Sequence, residues 1–232
     1  MPPFIELCVE TIARHNPEFT LTTPDSISAM SGGADMLATQ AAMPTPHRSD
    51  VVRLWLILQH GGAWTDTDCI ALRRLDIADR LGADDQVIGV YNGHRPRRTI
   101  ATPWAAPPNS PAVKYMLDRV VELNRKKAGG THVPYGATSV GTLSATQRSG
   151  RFKFSRLPGA NYNRITWDRA HAIFMQEATD EEHARSKHVN EEIQIYHLTN
   201  VVPAAYKKST VEEILTARTF AAYLLRRGLG MV

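Results

Sequence analysis

Asp66 and Asp68 stand two residues apart in the string "GGAWTDTDC", residues 61–69. In an extended segment side chains alternate, so both carboxylates would point the same way. Two converging carboxylates repel each other unless a cation lies between them. Hard oxygen donors of this kind suit Mg²⁺ or Mn²⁺, and an ion held by two protein groups keeps positions open for a diphosphate. The plain alternative is a solvated acidic turn, which Asp-X-Asp alone does not exclude. One helix earlier come Ser49, Asp50 and Arg53. Asp50 and Arg53 are spaced i,i+3 and share a helix face. They form either a local ion pair or a pair that grips polar hydroxyls.

The elements that must carry these residues are readable from the sequence. "TPHRSDVVRLWLILQH" reads as a helix with Thr45 as N-cap and Pro46 in its first position. Val51, Val52, Trp55 and Leu58 or Gln59 give it one buried stripe. Gly61 and Gly62 stop it, because glycine accepts a left-handed C-terminus without Cβ strain. An extended segment bearing Asp66 and Asp68 is expected to follow. "FIELCVETIARH" (4–15) has helical spacing closed by Asn16-Pro17, and "ADMLATQAAM" reads as a short helix. "SPAVKYMLDRVVELNRKK" reads as a helix capped by Ser110. Strands are expected at 86–92, 99–107, 151–158 and 192–200, and one amphipathic helix from Thr210 to Arg227. Helices alternating with short apolar strands indicate an α/β fold with a largely parallel or mixed sheet, which binds ligands at the carboxyl ends of its strands. No Pro- or Gly-rich linker divides the chain, so residues 1–232 are expected to form a single domain.

The bulk numbers narrow little. A net charge of +4 and a pI near 9.2 suit an anionic ligand such as a nucleotide, an anionic membrane face or a nucleic acid. Cys8 and Cys69 make no disulfide framework, which points to a reducing, cytoplasmic setting. There is no basic-then-apolar leader and no apolar run long enough to span a bilayer, while peripheral membrane association stays open.

The string "HRSDVVRLWLILQHGGAWTDTDCIALRRLD" resembles the signature of DXD sugar transferases, glycosyltransferase family 32 and its capsular polysaccharide synthesis relatives. The shared pattern is Ser49-Asp50, Arg53, an apolar helical run, Gly61-Gly62, Ala63, Trp64, Asp66 and Asp68. The resemblance implies a GT-A-like (Rossmann-like) mixed sheet flanked by helices. It implies a metal-dependent glycosyltransferase that moves a sugar from a nucleotide-sugar donor, UDP-sugar favoured, to a glycan or other hydroxyl acceptor with retention of configuration. Ser49, Asp50, Arg53, Trp64 and Asp66 would contact the donor. Asp66 and Asp68 would be the catalytic carboxylates, and with His197 they would hold Mn²⁺ or Mg²⁺. A neutral imidazole is a suitable third ligand for Mn²⁺, and the bland alternative for His197 is a residue capping a strand end. Trp64 packs either beside the nucleotide or in the core. His47 and His60 read as helix-surface residues.

More distant parts of the resemblance depart from the pattern. "GATSVGTLSAT" stands where relatives have a Thr-Gly-Pro loop, and "NYNRITW" carries Asn163 or Arg164 where they have proline. The opening "MPPFIELCVETIARHNP" resembles the helix after the family's first, base-binding strand, so that strand is expected to be missing or supplied otherwise. Arg95, Arg97 and Arg98 are either phosphate contacts or a solvated loop. Neither Asp168 nor Glu177 is placed well enough to be named a nucleophile. Three other readings compete. A phosphatase-type use of Asp-X-Asp wants an apolar strand before the first acid, whereas a helix and Gly-Gly precede this one. A catalytically impaired remnant that binds a sugar nucleotide or carbohydrate is a second. A viral-type transferase acting on nucleic acid is the third, though no aromatic-interleaved basic stripe supports it.

Overall fold

The computed structural model describes residues 1–41, 43–91, 99–134, 136–158, 161–162, 165, 167–198 and 201–232. In chain order the helices are α1 (Pro3–His15), α2 (Pro24–Ser28), α3 (Gly33–Thr39), α4 (Thr45–His60), α5 (Pro111–Ala128) and α6 (Val140–Arg148). They continue with α7 (Trp167–Phe174), α8 (Asp180–Ala184), α9 (Val201–Ala205), α10 (Val211–Thr216) and α11 (Phe220–Gly228). The strands are β1 (Gly62–Trp64), β2 (Cys69–Ala71), β3 (Val87–Tyr91), β4 (Thr99–Ala106), β5 (Phe154–Pro158) and β6 (Ile195–His197). This is the expected α/β class, with helices flanking a sheet. No described helix is long and apolar enough to cross a membrane.

The chain forms two compact units. The first comprises Met1–Thr20, Thr65–Asp76 and Pro158–Val232; the second comprises Leu21–Trp64 and Ile77–Leu157.

In the second unit the sheet runs in the order β1-β4-β3-β5, with β1–β4 and β3–β4 antiparallel. Val51, Leu54 and Ile57 of α4 pack with Val87, Trp104 and Ala106 of the sheet and with Val113, Met116 and Val120 of α5. Helix α5 begins as expected, its cap Ser110 accepting a bond from the Val113 N–H at 3.3 Å. Helix α4 differs from expectation at its start. Pro44 is its N-cap and Thr45 is already helical, with no side-chain cap. The proline at the second helical position removes an N–H that has no intrahelical partner there. Its buried surface also differs, because α4 is covered on two sides. Val51, Leu54 and Ile57 enter the sheet-side core, while Val52 and Leu56 pack on Ile27 of α2. Trp55 and Leu58, expected to be buried, are half-buried at the edges of these clusters. At its C-terminus Gly61 has φ 67°, and a Cβ there would lie 2.5 Å from the Pro108 ring. Conformation and close approach both require glycine at this position.

In the first unit β2 and β6 form a two-stranded antiparallel sheet. Its core is aromatic: Phe4, Phe174, Tyr196, Tyr206, Phe220 and Tyr223 pack with Ile70, Leu224 and Leu225. Helix α1 ends where "HNP" predicts, and Asn16 does more than stop it. Its amide donates to the Ile12 carbonyl at 3.2 Å, and its side-chain oxygen accepts from the Leu75 N–H at 2.6 Å.

Three expectations about element limits are corrected. Among the described residues the strand expected at 192–200 is confined to β6, and the one at 151–158 begins only at Phe154. The single C-terminal helix is two, broken at residues 217–219. Ala217 is extended at ψ 145°, and Thr219 starts a new helix by accepting the Ala222 N–H at 3.3 Å. A threonine that can cap competes with helix continuation.

Candidate functional site

The two acids do not sit on a strand, as alternation would have it. Strand β1 ends at Trp64, β2 begins at Cys69, and Asp68 lies in the turn that precedes β2. The reason is that β1 pairs with β4 whereas β2 pairs with β6. Asp66 and Asp68 lie in the connection between those strands, so turn geometry, not strand alternation, orients the carboxylates.

The β2–β6 register brings a third group to them. Cys69 pairs with His197, Ile70 with Tyr196 and Ala71 with Ile195. The Leu198 N–H donates to the Asp68 carbonyl at 3.0 Å, extending the ladder past the strand end. As a result the His197 Nε2 lies 3.5 Å from an Asp68 carboxylate oxygen, with the two side chains 22% and 16% exposed. Asp66, Asp68 and His197 each offer one ligand atom, all within 4.8 Å of one another. Ligands about 2.1 Å from one ion and at right angles to each other lie roughly 3 Å apart. Two carboxylates and an imidazole offer hard oxygens and one nitrogen, a donor set that a divalent cation can take. The residues present therefore fit a divalent ion.

Helix packing braces this strand pair. The Thr11 hydroxyl donates to the Cys8 carbonyl at 2.7 Å and accepts from the Ala71 N–H at 3.0 Å. On α11, a Cβ at Gly228 would lie 2.7 Å from the Ala71 carbonyl, so only glycine lets that helix approach β2 this closely. Cys8 and Cys69 are fully buried. Burial first, and the Asp68 charge second, push both thiols well above their ordinary value. Both effects favour the protonated thiol.

In the second unit Asp50 and Arg53 meet as their spacing predicts, with guanidinium and carboxylate 3.4 Å apart and both side chains nearly buried. The Arg53 guanidinium also reaches the Ser49 hydroxyl at 3.4 Å and lies over the Trp64 ring, 5.6 Å from its centroid. Trp64 is half-buried against the α4 clusters. Ser49 and Trp64 thus both contact Arg53.

Three residues here escaped the sequence reading. The Thr138 hydroxyl donates to Asp50 Oδ2 at 2.7 Å, and His47 Nδ1 lies 3.1 Å from that hydroxyl. The Lys127 ammonium then lies 2.6 Å from His47 Nε2. His47 is half-buried in this chain of contacts, and His60 is exposed. The spacing of His47 to Asp50, again i,i+3, was the available signal. Thr138 and Lys127 come from distant segments and left none.

Arg95, Arg97, Arg98, Asn163 and Arg164 lie outside the described residues. A cavity of about 390 Å³ in the first unit, bordered by Gln176, His183, His188 and Arg218, is lined by none of the predicted site residues.

Residues 6–88 match the family model described as glycosyltransferase sugar-binding region containing DXD motif. No curated protein sequence matches it. Among solved structures it is similar to the PaToxG glycosyltransferase, at 15% identity and a TM-score of 0.49, over 64% of this chain and 63% of that one. The similarity thus spans less than two thirds of that chain's length.

Proposed function

We propose that this chain, with its DXD sugar-binding region, is a metal-dependent glycosyltransferase that moves a sugar from a nucleotide-sugar donor to a hydroxyl acceptor. The observation that carries the reading is the convergence of Asp66, Asp68 and His197 within 4.8 Å, the two acids forming an Asp-X-Asp inside the matched stretch. These three residues would hold Mn²⁺ or Mg²⁺. The ion would supply positive charge to the diphosphate leaving group.

The remaining roles belong to the chain's own groups. Asp50 accepts hydrogen bonds from donor hydroxyls, since an ionised carboxylate is an acceptor with several lone pairs. Arg53 donates from a planar fork whose direction Ser49 and Trp64 restrict. The preference for a UDP-sugar, the retaining outcome and a glycan acceptor rest on the family resemblance of residues 47–76.

A donor screen with Mn²⁺ tests the reading: UDP- and GDP-sugars are offered to the wild-type chain and to Asp68→Ala, and released nucleoside diphosphate is measured. Turnover is expected in the wild type and is lost in Asp68→Ala, with unfolding temperature little changed. Binding of a donor without turnover in the wild type would make the chain a sugar-nucleotide-binding remnant. Equal turnover by Asp68→Ala would remove the metal assignment.

A further inference from the structure

We propose that Lys127, His47 and Thr138 form a one-directional hydrogen-bond relay that positions the Asp50 carboxylate, with His47 held as its Nδ1–H tautomer. The positioning role rests on the reading of Asp50 as a donor-binding group; the tautomer does not.

The direction follows from donor and acceptor counting. Asp50 Oδ2 can only accept, so the Thr138 hydroxyl spends its single proton on that 2.7 Å bond. The Thr138 oxygen then has only lone pairs to offer His47 Nδ1 at 3.1 Å, so Nδ1 must carry the hydrogen. A neutral imidazole has one N–H, which leaves a lone pair on Nε2. That lone pair faces the Lys127 ammonium at 2.6 Å, a group that only donates. Each contact is then one donor on one acceptor. The Nε2–H tautomer would set two N–H groups against each other at 2.6 Å and leave the 3.1 Å contact without a proton.

The relay runs from a cation to an anion, and its end at Asp50 is shielded. Thr138 is 3% exposed and Asp50 6%. In such surroundings successive bonds polarise one another and water competes little. The two oxygens of Asp50 are divided between partners, Oδ2 to Thr138 and Oδ1 to Arg53. The carboxylate plane is therefore set from both sides.

The loop that presents Thr138 keeps its shape by bonds that do not involve that side chain. The Gly141 N–H donates to the Gly136 carbonyl at 2.8 Å, and the Thr142 hydroxyl donates to the Ala137 carbonyl at 2.8 Å. Gly136 adopts φ 76°, which closes the turn. Replacing Thr138 by valine thus removes the hydroxyl with little change to the loop.

The experiment has two readouts. Long-range ¹H–¹⁵N correlations of the histidine rings, assigned with His47→Asn, should show His47 as Nδ1–H in the wild type. An Nε2–H or doubly protonated pattern overturns the relay, whatever the activity. Donor KM and kcat are then measured for Thr138→Val, Thr138→Ser and Asp50→Ala with Mn²⁺. Thr138→Val should raise donor KM by about 10- to 100-fold, the scale of a hydrogen bond to a charged group. Thr138→Ser, which keeps the hydroxyl, should recover most of that loss. A wild-type KM in Thr138→Val beside a raised KM in Asp50→Ala overturns the positioning role and spares the donor-site reading. Unaltered donor binding in Asp50→Ala removes the donor-site reading and the positioning role with it. Should Thr138→Val fail to fold, Thr138→Ser and His47→Asn carry the comparison: a KM tenfold higher for His47→Asn than for Thr138→Ser supports the relay, and a lower one opposes it.

Discussion

Asp68 and His197 face one another at 3.5 Å because Cys69 and His197 are register partners in the β2–β6 ladder. Side chains so placed belong to a strand pair that helices α1 and α11 clamp, through Thr11 on one and Gly228 on the other. A metal bound there binds the folded chain and not the unfolded one.

Metal should consequently raise stability. At free Mn²⁺ a hundredfold above its dissociation constant the gain is about 2.7 kcal/mol. Thermal unfolding with Mn²⁺ and with EDTA measures it. The gain should vanish in Asp68→Ala and shrink in His197→Ala. An undiminished gain in both variants would put the ion somewhere else.

The Asp50–Arg53 pair should behave as a buried one, its side chains being 9% and 12% exposed. Arg53→Met leaves the carboxylate without its guanidinium and should cost about 3 kcal/mol in urea unfolding. Arg53→Met combined with Asp50→Leu should regain part of that cost. A single-variant loss below about 1 kcal/mol would mean the pair behaves like an exposed one.

Asp85 supplies a pH dependence. Burial opposes its ionisation, but the Ser155 hydroxyl, the Gly82 N–H and the Lys153 ammonium together outweigh burial and hold its carboxyl below the ordinary value of 3.8. A folded-state value below the unfolded one means the unfolded chain binds the proton more readily. Its stabilising contribution is thus present above 3.8 and is lost as pH falls through the lower folded value. Asp85→Asn should lower stability at neutral pH and flatten the acid limb of the stability profile. An acid limb as steep as that of the wild type would assign the dependence to other carboxylates.

Where local chemistry decided structure, the sequence was readable. Helix α5 has its cap, its proline and its apolar spacing within one segment, and α1 its Asn16-Pro17 stop. The meeting of Asp50 and Arg53 needed only helical geometry. Where distant partners decided, it was not. Asp66 and Asp68 look like strand residues until β1 and β2 are known to join different sheets. Trp55 and Leu58 look like core until α4 is known to be covered on two sides. Thr138 reaches Asp50 from a loop far along the chain, and no spacing rule links them. The break at Thr219 lay between these cases. Its capping residue was visible, but its backbone bridge to Glu177 was not.

Strands β2 and β6 are neighbours in their sheet and distant along the chain, and the family match closes at residue 88. A ribosome therefore finishes the whole matched stretch, with both aspartates, well before it makes His197. At ~5–20 residues per second the interval is on the order of ten seconds. For that time the nascent polypeptide has two of the three groups proposed here to hold an ion and no partner strand for β2, so the proposed centre can form only after β6 has been made.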